Sequence, residues 1–210
     1  MTPIEFLEAA RCPESLGPCS SGLWTITKRR AKSKIEEAAI GWKTQTVLMR
    51  TTLATLHIEN GGDVVMEDSI LELCRHLPIW MAARGRVLVT GLGLGCVVRG
   101  LLANHEVERV TVIEVDSWII AKVWPEFQRD TRAMILQGDA LTYEFPPGVQ
   151  FDFAWHDLWT ETGKLATMHA EAMIRYRPIV GRQGAWGFPR IGKRLLRREG
   201  WFLEARQPEC

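Results

Sequence analysis

Three glycines in the segment VLVTGLGLGC (residues 87–96) have the spacing of a nucleotide-binding turn. Gly91, Gly93 and Gly95 follow an apolar stretch and precede a helical pattern that begins at Cys96. A strand, a glycine turn and a helix bring backbone N–H groups close to a nucleotide, and glycine permits the tight turn and the close approach. The alternative is a plain strand-to-helix turn. NAD is a disfavoured ligand, because its G-x-G-x-x-G fingerprint needs glycine where Cys96 stands.

Acidic residues end the next two predicted strands. Glu114 and Asp116 close the segment VTVIEVD. A carboxylate at this strand end can accept hydrogen bonds from both ribose hydroxyls, which favours an adenosine ligand. Asp116 can instead cap the following helix, so Glu114 is the stronger ribose candidate. Asp139, in the segment QGDAL, suits contact with an adenine amino group, although Gly-Asp is also a common turn pair.

A further acidic segment, FDFAWHDLWTE (residues 151–161), follows an apolar strand. His156 and Asp157 emerge at its carboxyl end, where open α/β sheets bind ligands. Asp157 can orient or deprotonate a nucleophile, or neutralise a cation; the alternative is a surface aspartate that caps the next turn. His156 is as consistent with a hydrogen-bonded structural group as with a catalytic one. Trp155 and Trp159 flank the pair and are candidates for shaping a pocket.

The elements that position these residues follow from local patterns. Residues 1–11 predict a helix with a T-x-x-E capping box. Residues 20–68 predict a small antiparallel unit with a hairpin turn at 60–62. Residues 69–84 predict a helix that is kinked or broken at Pro78.

From residue 85 onward, strand and helix patterns alternate, which is typical of a parallel sheet covered on both faces. We predict strands at 86–90, 110–115, 133–137, 151–155, 184–188 and 201–204, and helices at 96–104, 117–129, 163–176 and 191–199. The predicted fold is α/β: a Rossmann-like, mostly parallel sheet with helices on both faces, preceded by a small β-containing N-terminal region. We assign residues 1–68 to the N-terminal helix and antiparallel β region and residues 69–210 to the Rossmann-like domain.

The composition is that of an ordinary globular protein. The 210 residues are 46% hydrophobic and 24% charged, with a net charge of +1, which excludes disordered, collagen-like and coiled-coil chains. No apolar run approaches the ~20 residues of a membrane span, and the N-terminus lacks the apolar region of a secretory signal. Five scattered cysteines without a C-x-x-C pair predict no metal site and reduced thiols. We therefore expect a cytoplasmic protein without a membrane partner.

The order G-x-G-x-G, E-x-D, G-D-A and post-strand acid resembles the class I S-adenosylmethionine-dependent methyltransferases. It is more closely similar to their spermidine-synthase-like branch, in which a β-rich N-terminal piece and a helix ending in H-L-P precede the glycine turn. Here LELCRHLPIW (71–80) precedes VLVTGLGLG (87–95). The resemblance covers about residues 50–160.

The resemblance implies S-adenosylmethionine as cofactor and S-adenosylhomocysteine as product. The glycines would approach the methionine part and ribose, Glu114 the ribose hydroxyls, and Asp139 and Ala140 the adenine. Asp157 matches the family's catalytic aspartate. Beside that match, we take His156 as a candidate helper because it precedes Asp157 at the same strand end. The full cofactor-binding set is Gly91, Gly93, Gly95, Glu114, Asp116, Asp139 and Ala140.

Three positions depart from the family pattern. Leu94, Ile70 and Thr160 stand where true synthases carry the acid, tyrosine and second aspartate that hold the polyamine. Burying ammonium groups without such partners is very unfavourable. Putrescine is therefore a disfavoured substrate, and the leading hypothesis is a methyltransferase acting on a small-molecule acceptor.

Two alternatives stay open. One is a spermidine-synthase-like aminopropyltransferase that uses decarboxylated S-adenosylmethionine, and the other is a non-catalytic nucleotide-binding or interaction module. The basic segments 28–34 and 190–198 could contact phosphates, so a nucleic-acid partner is a weaker option. A short edge strand at the C-terminus hints at a homodimer.

Overall fold

The computed structural model describes residues 1–30, 42–51, 62–158, 165–186 and 203–204. The first element is helix α1 (Pro3–Ala10), which begins with the predicted capping box. The Glu5 N–H donates to the Thr2 hydroxyl at 3.3 Å, and the Thr2 N–H donates to the Glu5 carboxylate at 2.6 Å. These two bonds satisfy backbone donors that a helix start leaves free, so the prediction for this helix is confirmed.

A four-stranded antiparallel sheet follows α1, in the order β1-β2-β3-β4. Its strands are β1 (Cys19–Ser20), β2 (Trp24–Arg30), β3 (Thr44–Arg50) and β4 (Asp63–Glu67). This confirms the predicted antiparallel unit. The predicted turn residues Asn60 and Gly61 lie outside the described residues.

Two short helices, α2 (Ile70–Cys74) and α3 (Leu77–Ala82), replace one continuous helix between residues 69 and 84. The break falls at Arg75 and His76, just before Pro78. Proline has no N–H to donate to the preceding turn, and it fits the first turn of a new helix instead. The predicted break near Pro78 is confirmed.

The main sheet has six strands in the order β10-β9-β8-β5-β6-β7. Strands β5 to β9 are mutually parallel, and β10 pairs antiparallel with β9. The strands are β5 (Gly85–Thr90), β6 (Val107–Glu114), β7 (Ala133–Gln137), β8 (Phe151–His156), β9 (Val180–Ala185) and β10 (Leu203–Glu204). The helices between them are α4 (Cys96–Ala103), α5 (Ser117–Val123) with a 3₁₀ turn at Trp124–Glu126, and α6 (Leu165–Tyr176). The predicted mostly parallel α/β fold is confirmed.

Two predicted boundaries differ from the structure for identifiable reasons, besides smaller shifts such as the start of β6 at Val107 rather than residue 110. Helix α5 ends at Val123 rather than residue 129, because Pro125 cannot continue the backbone hydrogen bonding of an α-helix. Strand β9 begins at Val180 rather than residue 184. Arg182 and Gln183 lie at its centre, so this segment lacks the apolar run that predicts a buried strand. The predicted helix 191–199 lies outside the described residues.

One continuous apolar core joins the N-terminal region to the main sheet. It contains Phe6, Ile26 and Leu48 from the first part of the chain and Trp80 and Val87 from the second. The Phe6 and Trp80 rings stack with centroids 6.3 Å apart. A second cluster on the other face of the main sheet is built around Leu88, Ala154 and Tyr176. Within the described parts of the chain, no helix combines the length and apolarity needed to cross a membrane.

Candidate functional site

A cavity of about 280 Å³ lies at the carboxyl ends of β5, β6, β7 and β8. The N-terminal sheet forms its other wall, to which Trp24, Leu48 and Met66 contribute. Ligands of open α/β sheets bind outside the carboxyl ends of the strands, where the strand order reverses. Strand β5, between β6 and β8, occupies that reversal point. The volume is close to the lower end of the roughly 300–1,000 Å³ typical of small-molecule sites.

A wider depression of about 860 Å³ lies at the opposite, amino end of the strands. Arg86 and Glu108 line it together with Tyr143 and Phe145. Neither the glycine turn nor the buried acids reach this depression. The smaller cavity at the carboxyl ends is therefore the better candidate for a nucleotide site.

Gly91 begins the glycine turn and lines the cavity. Its φ is +90°, and a Cβ on it would lie 2.1 Å from the Asp157 carbonyl oxygen. The Asp157 N–H in turn donates to the Thr90 carbonyl at 2.8 Å. Glycine is therefore required for the loop after β5 to pack against the loop after β8, which brings both loops onto one cavity.

The other two glycines have different positions. Gly93 also lines the cavity. Gly95 does not: it is the left-handed N-cap of α4, and a Cβ on it would lie 2.8 Å from the Phe127 ring. Of the three predicted glycines, Gly91 and Gly93 face the candidate site, and Gly95 sets the packing of the following helix.

Glu114 lies on the cavity wall with its carboxylate held by backbone groups. It accepts from the Leu92 N–H in the glycine turn at 2.7 Å and from the Asp116 N–H at 2.9 Å. Burial raises the pKa of Glu114, and the backbone hydrogen bonds oppose that rise. Each carboxylate oxygen has a second lone pair, so the side chain can still accept from a ligand hydroxyl. Glu114 and the glycine turn therefore form one rigid corner.

Asp116 lines the same cavity, but its carboxylate is occupied by the protein. It caps α5 by accepting from the Trp118 and Ile119 N–H groups at 2.9 and 3.1 Å. Its other oxygen accepts from the Trp24 indole N–H at 2.7 Å. Asp116 thus joins the N-terminal sheet to the main sheet at the cavity wall.

Asp139 and Ala140 line the cavity after β7. The exposed Asp139 carboxylate accepts from the Leu141 N–H at 2.8 Å. This contact is typical of an aspartate in a turn, which is the alternative role that the Gly-Asp sequence predicts for it. The Ala140 carbonyl accepts from the Tyr176 hydroxyl at 2.8 Å, which fixes this loop against α6. The structure therefore brings together Gly91, Gly93, Glu114, Asp116, Asp139 and Ala140.

Asp157 points into the cavity with 15% of its side chain exposed. Burial raises the pKa of its carboxyl to about 8, with smaller contributions from the nearby Glu72 and Glu114. Asp157 is therefore protonated in neutral solution. It can donate a hydrogen bond below about pH 8 and accept a proton above it.

His76 lies behind Asp157, and its Nε2 is 4.0 Å from the Asp157 Oδ2. Neither ring nitrogen of this buried side chain has a hydrogen-bond partner among the described residues. The ring lies between Trp80 and Trp155 at centroid distances of 5.5 and 5.8 Å. Burial lowers the pKa of His76 to about 3, so a neutral imidazole faces a protonated carboxyl.

His156 does not reach the cavity, although it precedes Asp157 in sequence. Its ring is fully buried, with Nδ1 3.0 Å from the Thr90 hydroxyl and Nε2 3.0 Å from Gln183 Oε1. The Gln183 amide donates to the Met173 carbonyl, so its oxygen faces the imidazole and accepts from Nε2. Both ring nitrogens are thus used within the core. The predicted helper role has no geometric basis in this arrangement.

Trp155 does not line the cavity as expected. Trp155 is 1% exposed and packs in the core beside His76, and Trp159 lies outside the described residues. Trp24 and Trp186 line the cavity instead. Trp155 is still inside β8, which ends at His156, so its ring packs in the core beside His76 and does not extend beyond the strand end where Asp157 lies.

Sequence reasoning also missed Glu72, which lines the cavity from α2. Its carboxylate accepts from the Trp186 indole and the Arg75 guanidinium. Burial raises the pKa of Glu72. The only signal in the sequence is the spacing from Ser69, which caps α2 and accepts from the Glu72 N–H at 3.4 Å. That spacing indicates a helix start and carries no information about a pocket.

Acidic residues outnumber basic ones around the cavity. Among the described residues, Arg50 is the one basic side chain that lines it, and its guanidinium lies 5.0 Å from the Trp24 ring centroid. The acidic side chains that line it are Glu72, Glu114, Asp116, Asp139 and Asp157. A cavity with this balance favours ligands that carry positive charge or several hydroxyl donors.

No family model matches the chain, and no curated protein matches it. Solved structures resemble it in fold. A spermidine synthase in complex with the transition-state analogue AdoDATO aligns with a TM-score of 0.50 and 18% identity, over 80% of this chain and 56% of that chain. The N-methyltransferase NodS from Bradyrhizobium japonicum, in complex with S-adenosyl-L-homocysteine, aligns with a TM-score of 0.41 and 19% identity, over 55% and 58%. A dimethyladenosine transferase from Plasmodium falciparum aligns with a TM-score of 0.42 and 23% identity, over 54% and 39%.

These alignments span between 39% and 58% of the length of the matched chains. At such identities the likeness concerns fold alone. The chain has the Rossmann-like fold of the spermidine synthase. The predicted resemblance in fold is confirmed.

Proposed function

We propose that this chain is an S-adenosylmethionine-dependent transferase, with methyl transfer to a small acceptor as the favoured reaction. The observation that carries the proposal is the position of Glu114. Its carboxylate is anchored to the glycine turn through Leu92 and faces the same cavity as Asp139 and Ala140. A glycine turn and an acid on the neighbouring strand end are the two features that an adenosyl group needs.

The cavity residues suit such a cofactor along its length. The Glu114 oxygens retain lone pairs for the two ribose hydroxyls. Asp139 and Ala140 stand at the third strand end for the adenine, and Gly91 and Gly93 leave space for the amino-acid part. The cofactor supplies an electrophilic methyl group on a sulfonium. The protein has to position the acceptor and exclude water.

Asp157 is the residue best placed to act on the acceptor. Its buried carboxyl lies on the cavity, and a pKa of about 8 lets it hold or release a proton near neutral pH. In its protonated form it can orient an acceptor by donating a hydrogen bond, and in its ionised form, which predominates above about pH 8, it can take the proton of an acceptor N–H or O–H as the methyl group is transferred. His76, 4.0 Å behind it, is close enough to support that carboxyl with a small side-chain movement.

Isothermal titration with S-adenosylmethionine and S-adenosylhomocysteine tests the proposal. We expect binding to the wild-type protein and at least a tenfold weaker affinity after Glu114→Ala, because the variant loses the acceptor for the ribose. Glu108→Ala is the matched control, since Glu108 is an exposed acid on the same strand β6. Absence of binding to the folded wild-type protein, or equal affinity for both variants, would contradict the proposal.

Aminopropyl transfer is the second candidate. Two observations favour it: the spermidine synthase alignment covers 80% of the chain, and Glu72 adds a second acid beside Asp157. Leu94 disfavours it, because this side chain is fully buried where the family carries an acid. Ile70 replaces the family's tyrosine, and Thr160 lies outside the described residues.

Turnover assays separate the two reactions. The protein is incubated with decarboxylated S-adenosylmethionine and putrescine, and in parallel with S-adenosylmethionine and a panel of methyl acceptors. Spermidine formation in the first reaction supports aminopropyl transfer. S-adenosylhomocysteine release in the second supports methyl transfer.

A further inference from the structure

Two cysteines meet outside the cavity, on the far side of the glycine turn. Cys12 follows α1, and Cys96 is the first residue of α4. Their Sγ atoms are 3.9 Å apart although the residues are 84 positions apart in sequence. A disulfide needs an S–S distance of about 2.05 Å, so the two sulfurs have to approach by only about 2 Å.

Polar contacts hold both thiols in place. The Arg99 Nη2 donates to the Cys12 Sγ at 3.2 Å and lies 3.8 Å from the Cys96 Sγ. The same nitrogen donates to the Leu94 carbonyl, and the Cys12 N–H donates to the Asp68 carboxylate at 3.1 Å. A guanidinium beside two sulfurs stabilises whichever of them is ionised, and ionisation is the first requirement for thiol–disulfide exchange.

The two thiols differ in access. Cys12 is partly exposed, whereas Cys96 is fully buried. Cys12 is therefore the more accessible of the two to a soluble oxidant. The hydrogen bond with Cys96 and burial raise the pKa of Cys12 well above its usual value; Arg99 opposes the rise, and Asp68 adds to it. Exchange is therefore slow at neutral pH and becomes faster as the pH rises.

We propose that Cys12 and Cys96 form a reversible disulfide when the protein meets a small disulfide such as oxidised glutathione. The Cys12 thiolate attacks the glutathione disulfide, forms a mixed disulfide and releases one glutathione thiolate. The Cys96 thiolate then attacks the Cys12 sulfur and releases the second glutathione. The protein thiols are oxidised by two electrons, glutathione is reduced by two, and the two thiol protons end on the two released glutathiones.

This cross-link joins the segment after α1 to the first residue of the helix that follows the glycine turn. It closes a long loop, and such a restraint reduces the conformational freedom of the unfolded chain. The oxidised protein should therefore melt several degrees above the reduced protein. This inference is independent of the proposed transferase activity, because it needs only the two thiols and the fold.

Peptide mapping tests the site directly. The native protein is incubated with oxidised glutathione at about pH 8, free thiols are alkylated, and the protein is digested with trypsin. Cleavage places Cys12 and Cys19 in the peptide 12–28 and Cys96 in the peptide 87–99. We expect these two peptides to be linked, with fragmentation locating the bond at Cys12, and we expect dithiothreitol to reverse both the link and the rise in Tm.

Single variants control for the other thiols. Cys19→Ser and the exposed Cys74→Ser should retain the link, and Cys12→Ser should abolish it and leave the Tm insensitive to glutathione. Because Cys12 is partly exposed, its serine variant is expected to fold. The proposal is overturned if the wild-type protein forms only mixed disulfides with glutathione, links Cys96 to another cysteine, or stays fully reduced.

Discussion

Asp157 illustrates how one buried carboxyl makes stability depend on pH. Burial raises its pKa to about 8 in the folded protein, whereas the ordinary value of 3.8 applies to the unfolded chain. Between these two values the folded protein holds a proton that the unfolded chain has lost. The contribution of this group to the free energy of unfolding therefore falls as the pH rises from about 4 to about 8.

Asp157→Asn removes that dependence, since asparagine does not titrate. We expect the variant to gain stability relative to wild type as the pH rises through this window, by at most ~1.4 kcal/mol per pH unit. Urea unfolding at about pH 6 and about pH 8 measures the difference, and comparison with wild type cancels the effect of the buried histidines. Glu144→Gln, which changes an 88% exposed side chain, should follow wild type. If the free energy of unfolding changes equally with pH in Asp157→Asn and in wild type, the carboxyl of the folded protein is already ionised at both pH values.

The loop after β5 depends on one backbone position, Gly91. A side chain there meets both the strain of a positive φ and the Asp157 carbonyl, 2.1 Å from the added Cβ. Gly148 has a similar φ of +87°, but open space surrounds its added Cβ. Alanine substitutions at these two glycines therefore distinguish the cost of backbone strain from the cost of steric overlap.

We expect Gly148→Ala to lower the free energy of unfolding by about 1–3 kcal/mol, the usual cost of a non-glycine residue in this region. Gly91→Ala should cost about 2 kcal/mol more, because backbone atoms of two loops must separate. Chemical denaturation of both variants measures the difference. Equal losses of unfolding free energy in the two variants would mean that the loop after β8 shifts away from residue 91 at no measurable cost.

The elements that carry this loop were predictable because their signals are local. The glycine turn, the acid at Glu114 and the alternation of strands with helices all lie within short stretches of sequence. Glu72, Trp24 and Trp186 reach the cavity through contacts between residues far apart in the chain. No local pattern distinguishes them from ordinary core or capping residues. The burial of His156 was unpredictable for the same reason, because one of its hydrogen-bond partners, Gln183, lies 27 residues later in the chain.

At the scale of the whole molecule, a single core joins the two predicted domains. Phe6 of α1 is 3% exposed and stacks on Trp80 of α3, while Ile26 and Leu48 join the same cluster as Val87. Such shared burial predicts that the N-terminal sheet and the main sheet unfold together. We therefore expect the division at residue 68 to mark a change in topology within one unit that unfolds cooperatively.

Phe6→Ala should lower the free energy of unfolding by about 3–5 kcal/mol, as for other large-to-small changes in a core. The control is Ile4→Ala on the same helix, where 56% exposure predicts a change within about 0.5 kcal/mol. Far-UV and near-UV circular dichroism should report one coincident transition for both variants. Separate transitions in the Phe6→Ala variant would show that the N-terminal region melts alone.

The protonated carboxyl in an acidic cavity has a calorimetric consequence. A cationic molecule that enters beside Asp157 favours the ionised form, so its association must expel a proton into solution. The buffer then takes up that proton, and the observed heat differs between buffers of high and low ionisation enthalpy. Titrations in Tris and in phosphate therefore count the protons displaced, and the count reveals whether the occupant places its positive charge beside this carboxyl or away from it.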